Sequence, residues 1–483
     1  MKRKTLLLLF PLFLLLALTL APTAGAAEND VYAILYTDKT LVFQYGDAPE
    51  SGKTVREKYQ VSLDGYGKPQ WYNRRTAVKE AIFKDEIQPL SMAYWFCDCS
   101  ALESVQGLGK VDTSHVTNMS GLFSGCSKFV SMDLRGLNTS SVENMLGMFE
   151  NCARLASLDV SDWDTSHVKD MSRMFNGCEA LASLDVSRWD TANVTSMHYL
   201  FIGCEALASL DVSRWDTANV TSMYGMFCGC KALASLDVSR WDTSAVTWMS
   251  NMFVNCYVLT ALDLSGFDTS AVTDMSSMFS CCYALKTLDL SGWDTGAVQN
   301  MEYMFAGCES LQTIYASEAF SDAQRRGGLF SDCPCLVGGA GTRYDENNLN
   351  YEYGRIDNPP DEPGYFTYKA PPVVRPPATL ALTLRDSSGN AVTMSGLRDG
   401  AEIKPEITVE NASESEWKTA DIFLVIYDSQ GMMIDLQSWE VDLSQPLSFI
   451  RTAPIPQNRD ASYVKFIMLS SNLTPLTAAQ ALQ

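Results

Sequence analysis

Apolar and polar positions in the middle of the chain recur every 26 residues. Phenylalanine stands at Phe123, Phe149, Phe175, Phe201, Phe227, Phe253, Phe279 and Phe305, with a cysteine three residues on in each unit, from Cys126 to Cys308. Looser copies flank the array around Phe96 and Cys99, and around Phe330 and Cys333. Two units share twenty identical residues in a row, Cys178 to Met197 and Cys204 to Met223, which indicates recent duplication. Within one unit, Leu155, Leu158 and Val160 have the spacing of a short strand, and Trp163 follows. Asp164, Thr165 and Ser166 supply short polar side chains suited to a turn and a helix N-cap. Val168, Met171, Met174, Phe175 and Cys178 then step by three and four, the apolar stripe of a short helix, with Gly177 near its end. The pattern predicts strand, turn, helix and turn in every unit. One unit cannot bury its own apolar face, so the units are expected to stack, strand on strand, at about 4.8 Å. The fold class predicted is α/β, a solenoid of 26-residue strand-turn-helix units followed by an all-β module.

Units reading L-D-V-S-x-W-D-T-S-x-V-x-x-M-x-x-M-F-x-x-C resemble the BspA-type leucine-rich repeats of bacterial surface proteins. The resemblance runs from about Val31 to Thr367. Val31–Leu35 and Leu41–Gly46 are similar to that family's N-terminal entry, and Gly341–Tyr344 and Pro363–Thr367 to its exit. It implies a leucine-rich-repeat-like solenoid with surface-exposed adhesion or protein-binding roles and no catalysis. It brings no functional residue with it.

Residues 1–26 read as a signal peptide: Lys2, Arg3 and Lys4, an apolar run from Leu6 to Leu20, then small residues before Ala27. Residues 27–88 are expected to cap the array, with a hairpin in Val31–Tyr45 and a short helix or edge in Val78–Ile87. The solenoid occupies 89–336, and the turn-rich 337–370 closes it. A proline-rich linker, 371–378, leads to 379–483. There Thr379–Leu384, Glu406–Val409, Ile422–Tyr427 and Tyr463–Met468 read as strands, with a turn at Asp428–Gly431. Their spacing predicts an immunoglobulin-like β-sandwich.

The formal charge of −21 makes nucleic acid and anionic lipid poor partners. After cleavage of the basic leader no later stretch is long enough to span a bilayer, so the chain is expected to be secreted or held at the cell surface. Fourteen cysteines in an exported chain suggest disulfides. Eight of them, however, hold one repeat position, where nothing selects one neighbour over the other. They read as small buried hydrophobes. Cys97 and Cys99 are far from Cys333 and Cys335, so the two pairs cannot share one metal. The three histidines occupy positions that other units fill with Asn, Ala, Ser or Tyr. No nucleophile is thereby given a basic partner, and no enzyme is predicted.

Two acidic ladders remain. Asp164, Asp190, Asp216, Asp242, Asp268 and Asp294 begin the Asp-Thr turn and are expected to accept backbone N–H groups. Asp159, Asp185, Asp211, Asp237, Asp263 and Asp289 lie between strand apolars and point off the sheet. They form either a solvated face, partly neutralised by Arg188, Arg214 and Arg240, or a docking strip for basic partners or calcium; no other cofactor is expected. The column Trp163, Trp189, Trp215, Trp241, Phe267 and Trp293 belongs to the core. Trp248 stands where other units carry Asp170, Ser196, Ser222 or Asp274, and Tyr199 and Tyr224 also break a polar pattern. Exposed aromatics favour interfaces, so these three and the outward aspartates are the candidate contacts. The expected function is binding or adhesion to extracellular or host proteins through the solenoid surface. The alternative is a structural spacer of the cell envelope with no ligand of its own.

Overall fold

A computed structural model describes residues 30–371, apart from 64, 66, 321–326 and 359, together with the backbone of strands between 379 and 482. The expected signal peptide and the 372–378 part of the linker lie outside the described residues. The chain divides into two compact units, Met1–Pro372 and Val373–Gln483.

The first unit begins with strands Val31–Tyr36 (β1) and Thr40–Tyr45 (β2), paired antiparallel. Val55–Gln60 (β3) adds antiparallel to β1. Glu80–Phe83 (β4) adds parallel to β2, and Ser104–Gln106 (β5) parallel to β4. This five-stranded sheet therefore changes from antiparallel to parallel pairing as it meets the repeats. Phe43, Phe83 and Trp95 stack on one another over the buried Trp71, whose indole N–H donates to the Trp95 carbonyl at 2.7 Å.

The predicted helix does not form. Among the described residues helical structure is confined to three 3-10 segments, Gln70–Ala77, Leu108–Lys110 and Tyr351–Tyr353. Where the apolar stripe of the third unit predicts a helix, the backbone makes overlapping turns. Met174 N–H bonds Met171 O at 3.2 Å, Asn176 bonds Arg173 at 3.1 Å and Cys178 bonds Phe175 at 3.1 Å. The intervening amides leave the unit. Met171 bonds Ser196 O at 3.2 Å, Arg173 bonds His198 at 3.0 Å, Phe175 bonds Leu200 at 3.0 Å and Gly177 bonds Ile202 at 2.8 Å. A helix would send every one of these N–H groups four residues back. Arg173 (φ 58°) and Gly177 (φ 71°) are left-handed, a conformation a right-handed helix cannot contain. Turns of three to four residues place apolar side chains inward at the same steps as a helix does, which is why the stripe misleads. The expectation of an α/β solenoid of strand-turn-helix units is therefore replaced by stacked, turn-rich, essentially non-helical units.

The predicted strand is also mostly unformed. Ser131–Met132 (β6) pairs with Ser157–Leu158 (β7), and Thr287–Leu290 (β8) with Thr313–Ala316 (β9), all parallel. Between those pairs this side holds one isolated bridge, Ser183 to Ser209. The reason is the column of large rings, tryptophan in every unit from Trp163 to Trp293 except at Phe267. Its rings lie 6.2–6.5 Å apart in nearly parallel planes, against 5.6–6.0 Å for the phenylalanine column. The backbone bonds beside it stretch to 3.5 Å (Ala182 to Ala156), 3.3 Å (Ala208 to Ala182) and 3.4 Å (Ala234 to Ala208). Where one neighbour carries Leu137 or Ala319 instead of tryptophan, the matching bonds are 2.8 Å (Ala156 to Val130) and 2.9 Å (Gln312 to Lys286). Indole N–H groups substitute as donors: Trp189, Trp215 and Trp241 bond Val160, Val186 and Val212 carbonyls at 3.1–3.2 Å.

Inside, the phenylalanine column runs unbroken from Phe96 to Phe330. It is closed by edge-on contacts, Phe43 and Phe83 at one end and Tyr365 and Phe366 at the other. The buried cysteine ladder packs beside it. Each thiol from Cys126 to Cys308 donates to the phenylalanine carbonyl one unit back, at 3.1–3.3 Å. Burial pushes the Cys204 thiol up to about 12, so it stays protonated. Buried threonines tie the turns together: Thr165, Thr191, Thr217 and Thr243 donate to the carbonyls of Asp190, Asp216, Asp242 and Asp268 at 2.7–2.8 Å.

At the far end Phe366–Tyr368 (β10) pairs parallel with β9. The buried Asp357 carboxylate gathers the N–H groups of Ala340, Thr342 and Gly364 and the Thr342 hydroxyl.

The second unit holds Thr379–Arg385 (β11), Glu402–Glu410 (β12), Thr419–Asp428 (β13), Met433–Asp442 (β14), Leu447–Ile450 (β15), Ala453–Pro454 (β16), Ala461–Ser470 (β17) and Gln480–Leu482 (β18). They form two antiparallel sheets, β11-β12-β15 with β16 on β12, and β14-β13-β17-β18. The expected turn residues 429–431 lie outside the described residues. The immunoglobulin-like sandwich does not stand as a description. Alternating apolar residues produce sheets, and sheets are what the backbone contains, but no face-to-face packing that defines a sandwich is shown.

Two measurements test the core. Titration of thiols in denaturant, without reductant, is expected to find most of the fourteen cysteines free; a full set of seven disulfides would overturn the carbonyl-bonded ladder. Thr217→Val removes a buried donor and should cost about 1–2 kcal/mol in urea unfolding. Thr195→Val, at an exposed hydroxyl, should stay within about 0.5 kcal/mol. Equal effects would show that the threonine ladder carries no stability.

Candidate binding site

Because the tryptophan column fans the units apart on the Ser-Leu-Asp side, the surface there opens into a groove of about 910 Å³. It crosses six consecutive units, from Ser131 to Ala261. Leu158, Leu184, Leu210 and Leu236 form its floor, nearly buried, and exposed serines and aspartates form its walls. Asp159, Asp185, Asp211 and Asp237 all line it, whereas Asp263 and Asp289 do not.

Each outward aspartate closes a tight turn. Ser161 N–H donates to Asp159 Oδ1 at 3.2 Å and its hydroxyl to the same oxygen at 2.8 Å, and the pattern recurs at Asp185, Asp211, Asp237, Asp263 and Asp289. The second ladder does likewise, with Ser166 N–H on Asp164 Oδ1 at 3.0 Å. Both ladders thus satisfy backbone donors, and outwardness does not distinguish them. The bonds from Ser161, Ser187 and Ser239 hold the Asp159, Asp185 and Asp237 carboxyls below the usual carboxylate range, so these are ionised at neutral pH. The ends of the stripe carry cations. Arg135 pairs with Asp133 at 2.8 Å, and Lys369 pairs with Asp289. Arg188, Arg214 and Arg240 are exposed, line no part of the groove and form no ion pair among the described residues. Among those residues, no group of three or more His, Cys, Asp or Glu side chains is placed to hold a metal ion.

The aromatic candidates lie elsewhere, on the turn ribbon. Trp248 bridges Ser222 and Asp274 and is 57% exposed. The half-buried Tyr199 and Tyr224 rings stand 4.7 Å apart, and the Arg173 guanidinium lies 5.4 Å from the Tyr199 ring. Burial, and then a hydrogen bond with Tyr224, raises the Tyr199 hydroxyl to about 12. Tyr199 is left-handed (φ 60°), and its ring lies where a Cβ on Gly225 would come within 2.7 Å, so the next unit must be glycine there. His198 Nδ1 shares a 2.8 Å bond with Ser196 Oγ, and burial lowers its pKa. None of Trp248, Tyr199 and Tyr224 lines the groove. The groove serines and the leucine floor were not among the candidates drawn from the sequence; the signal present was the Ser-Leu-Asp triplet repeated at 157–159, 183–185, 209–211 and 235–237. Among the described residues no helix is long and apolar enough to cross a membrane.

Comparison with known proteins adds one finding. The family described as "Mycoplasma protein of unknown function, DUF285" matches residues 90–209, 176–262 and 233–335, which together span just over half of the chain. No curated protein and no solved structure matches the chain. The likeness to BspA-type leucine-rich repeats is corrected accordingly. Leucine spacing that suggests such repeats here arises from stacked turns, and neither the family match nor the non-helical units support a leucine-rich solenoid or the adhesion role attached to it by resemblance. The chain belongs to the DUF285 family.

Proposed function

We propose that this chain is an exported or surface-held protein that binds other proteins through the long outer face of its repeat array, and that it is not an enzyme. The observation supporting this most is the groove, a single surface to which six consecutive units contribute. Repetition of one surface motif multiplies weak contacts along a partner, which suits recognition of an extended macromolecule. A second support is Trp248, a large aromatic held open among polar neighbours on a well-bonded ribbon. Truncation of an interfacial tryptophan typically costs about 2 kcal/mol, or roughly 30-fold in affinity. The apolar start of the chain supports export.

Immobilised full-length mature protein should therefore bind at least one extracellular protein saturably. Trp248→Ala is expected to weaken that binding roughly 30-fold if the ribbon is the contact. Absence of saturable binding to any protein would favour the spacer role. Sequencing of the protein recovered from culture medium should begin at Ala27; a product found only in cells with Met1 intact would remove the extracellular setting.

A further inference from the structure

Recent duplication separates two faces of the array. Ala180–Thr191, Ala206–Thr217 and Ala232–Thr243 are identical, so the groove side is one surface repeated without change. The turn ribbon of the same units has diverged. His198, Tyr224 and Ser250 hold one ribbon position, and Ile202, Cys228 and Val254 hold another. Drift would alter exposed residues on both faces alike, yet the exposed Ser183, Ser209 and Ser235 are unchanged. Change is confined to the ribbon.

That change runs from polar to apolar. Ser124, Glu150 and Asn176 precede Ile202, Cys228 and Val254 at one position, all of them half-buried. Neighbours at that position touch, because Asn176 Nδ2 donates to Glu150 Oε1 at 2.9 Å. Tyr224 and Trp248 hold the positions that Ser172 and Ser196 hold two units earlier, whose hydroxyls lie 2.8 Å apart. The Tyr199 ring is 4.7 Å from that of Tyr224, so the three rings adjoin. Tyr199 is also seated against Gly225, which fixes its ring before a partner arrives. Charge is almost absent. Within 196–206, 222–232 and 248–258 the charged side chains are Glu205 and Lys231, paired with each other at 2.6 Å. In a chain of −21 this is an uncharged island.

The island restricts its partner. An acidic surface is repelled by the chain as a whole, and a basic one finds no unpaired carboxylate within the patch. A polysaccharide would press hydroxyls against Ile202, Cys228 and Val254, whose side chains hold no oxygen or nitrogen to pair with them. Tyrosine and tryptophan beside aliphatic side chains, with charge depleted, is the composition of a protein interface core.

We propose that the ribbon face of the units around Phe201, Phe227 and Phe253 is the array's docking surface for a protein that presents an apolar, uncharged patch, with Trp248, Tyr224 and Tyr199 as the anchoring rings. The inference rests on the protein-binding reading and assigns its contact surface and the chemistry of its partner.

The test selects random linear dodecapeptides, displayed on phage, against the full mature chain. Enriched peptides are expected to be rich in apolar and aromatic residues and to carry no net charge. A synthetic consensus peptide should bind saturably, with affinity changing less than about twofold between low and high salt. The double variant Trp248→Ser/Tyr224→Ser should weaken it about 30-fold or more. Serine stands at both positions in other units, as Ser222 and Ser172 do, so the variant should unfold at the same midpoint. The triple variant Asp185→Asn/Asp211→Asn/Asp237→Asn, on the groove side, should bind the peptide as the unaltered chain does. Enrichment of basic peptides that salt releases, undiminished binding by the folded double variant, or no enrichment at all overturns the proposal. Retention of the chain on cellulose or chitin, lost in the double variant, would give the surface to a glycan and also overturn it. If the chain captures an extracellular protein and the double variant captures it equally well, the ribbon assignment falls and the binding role stands. If neither peptide nor protein binds saturably, both fall.

Discussion

A turn-rich backbone leaves half of its amides without partners inside its own unit, and unsatisfied buried amides are expensive. Along Met171–Cys178 the solution is an alternation: one N–H closes a turn, and the next crosses to the following unit. Every other feature of the array depends on that crossing. It holds each unit in register on the next, and it persists at the two irregular steps, Phe96 to Phe123 and Phe305 to Phe330, where Phe96 N–H bonds Leu122 O and Phe305 N–H bonds Leu329 O. It also explains why no unit is an independent element, and why both ends need built caps, such as the Asp357 staple that gathers three backbone N–H groups.

Once backbone bonding fixes one side, aromatic stacking governs the other. The phenylalanine column is compatible with the crossing bonds, while the wider tryptophan column stretches the strand bonds and replaces some of them with indole donors. Strand pairing survives at the two places where one neighbour lacks a large ring in this column, Leu137 and Ala319. The same large side chain thus stabilises the core and opens the surface above it. The groove is a by-product of that spacing.

The acidic surface and the thiol ladder are built on different principles. The acids are spread in a line, each engaged with a serine of its own turn, and they do not converge. The thiols most numerous in the chain are buried, protonated and bonded to carbonyls. The aromatic residues that interrupt the polar ribbon, Trp248 and the Tyr199–Tyr224 pair, sit apart from the acidic groove. The array therefore carries two chemically different faces, one acidic and periodic, one aromatic and local.

The repeat itself, its register, the buried phenylalanine, cysteine and tryptophan columns, and the turn-forming role of the Asp-Thr pairs were legible in the sequence, because each depends on residue type and a 26-residue step alone. The conformation of Val168–Cys178 was not. Inward steps of three and four are common to a helix and to overlapping turns, and the choice was made by left-handed Arg173 and Gly177 and by acceptors in the next unit, 25 residues away. Nor was the groove legible. Leu184 and Asp185 read as an ordinary strand, and only the stacking distance of Trp163 on Trp189, a property of two packed units together, decided that this stretch would part from Leu158 and open a groove over a floor that stays nearly buried.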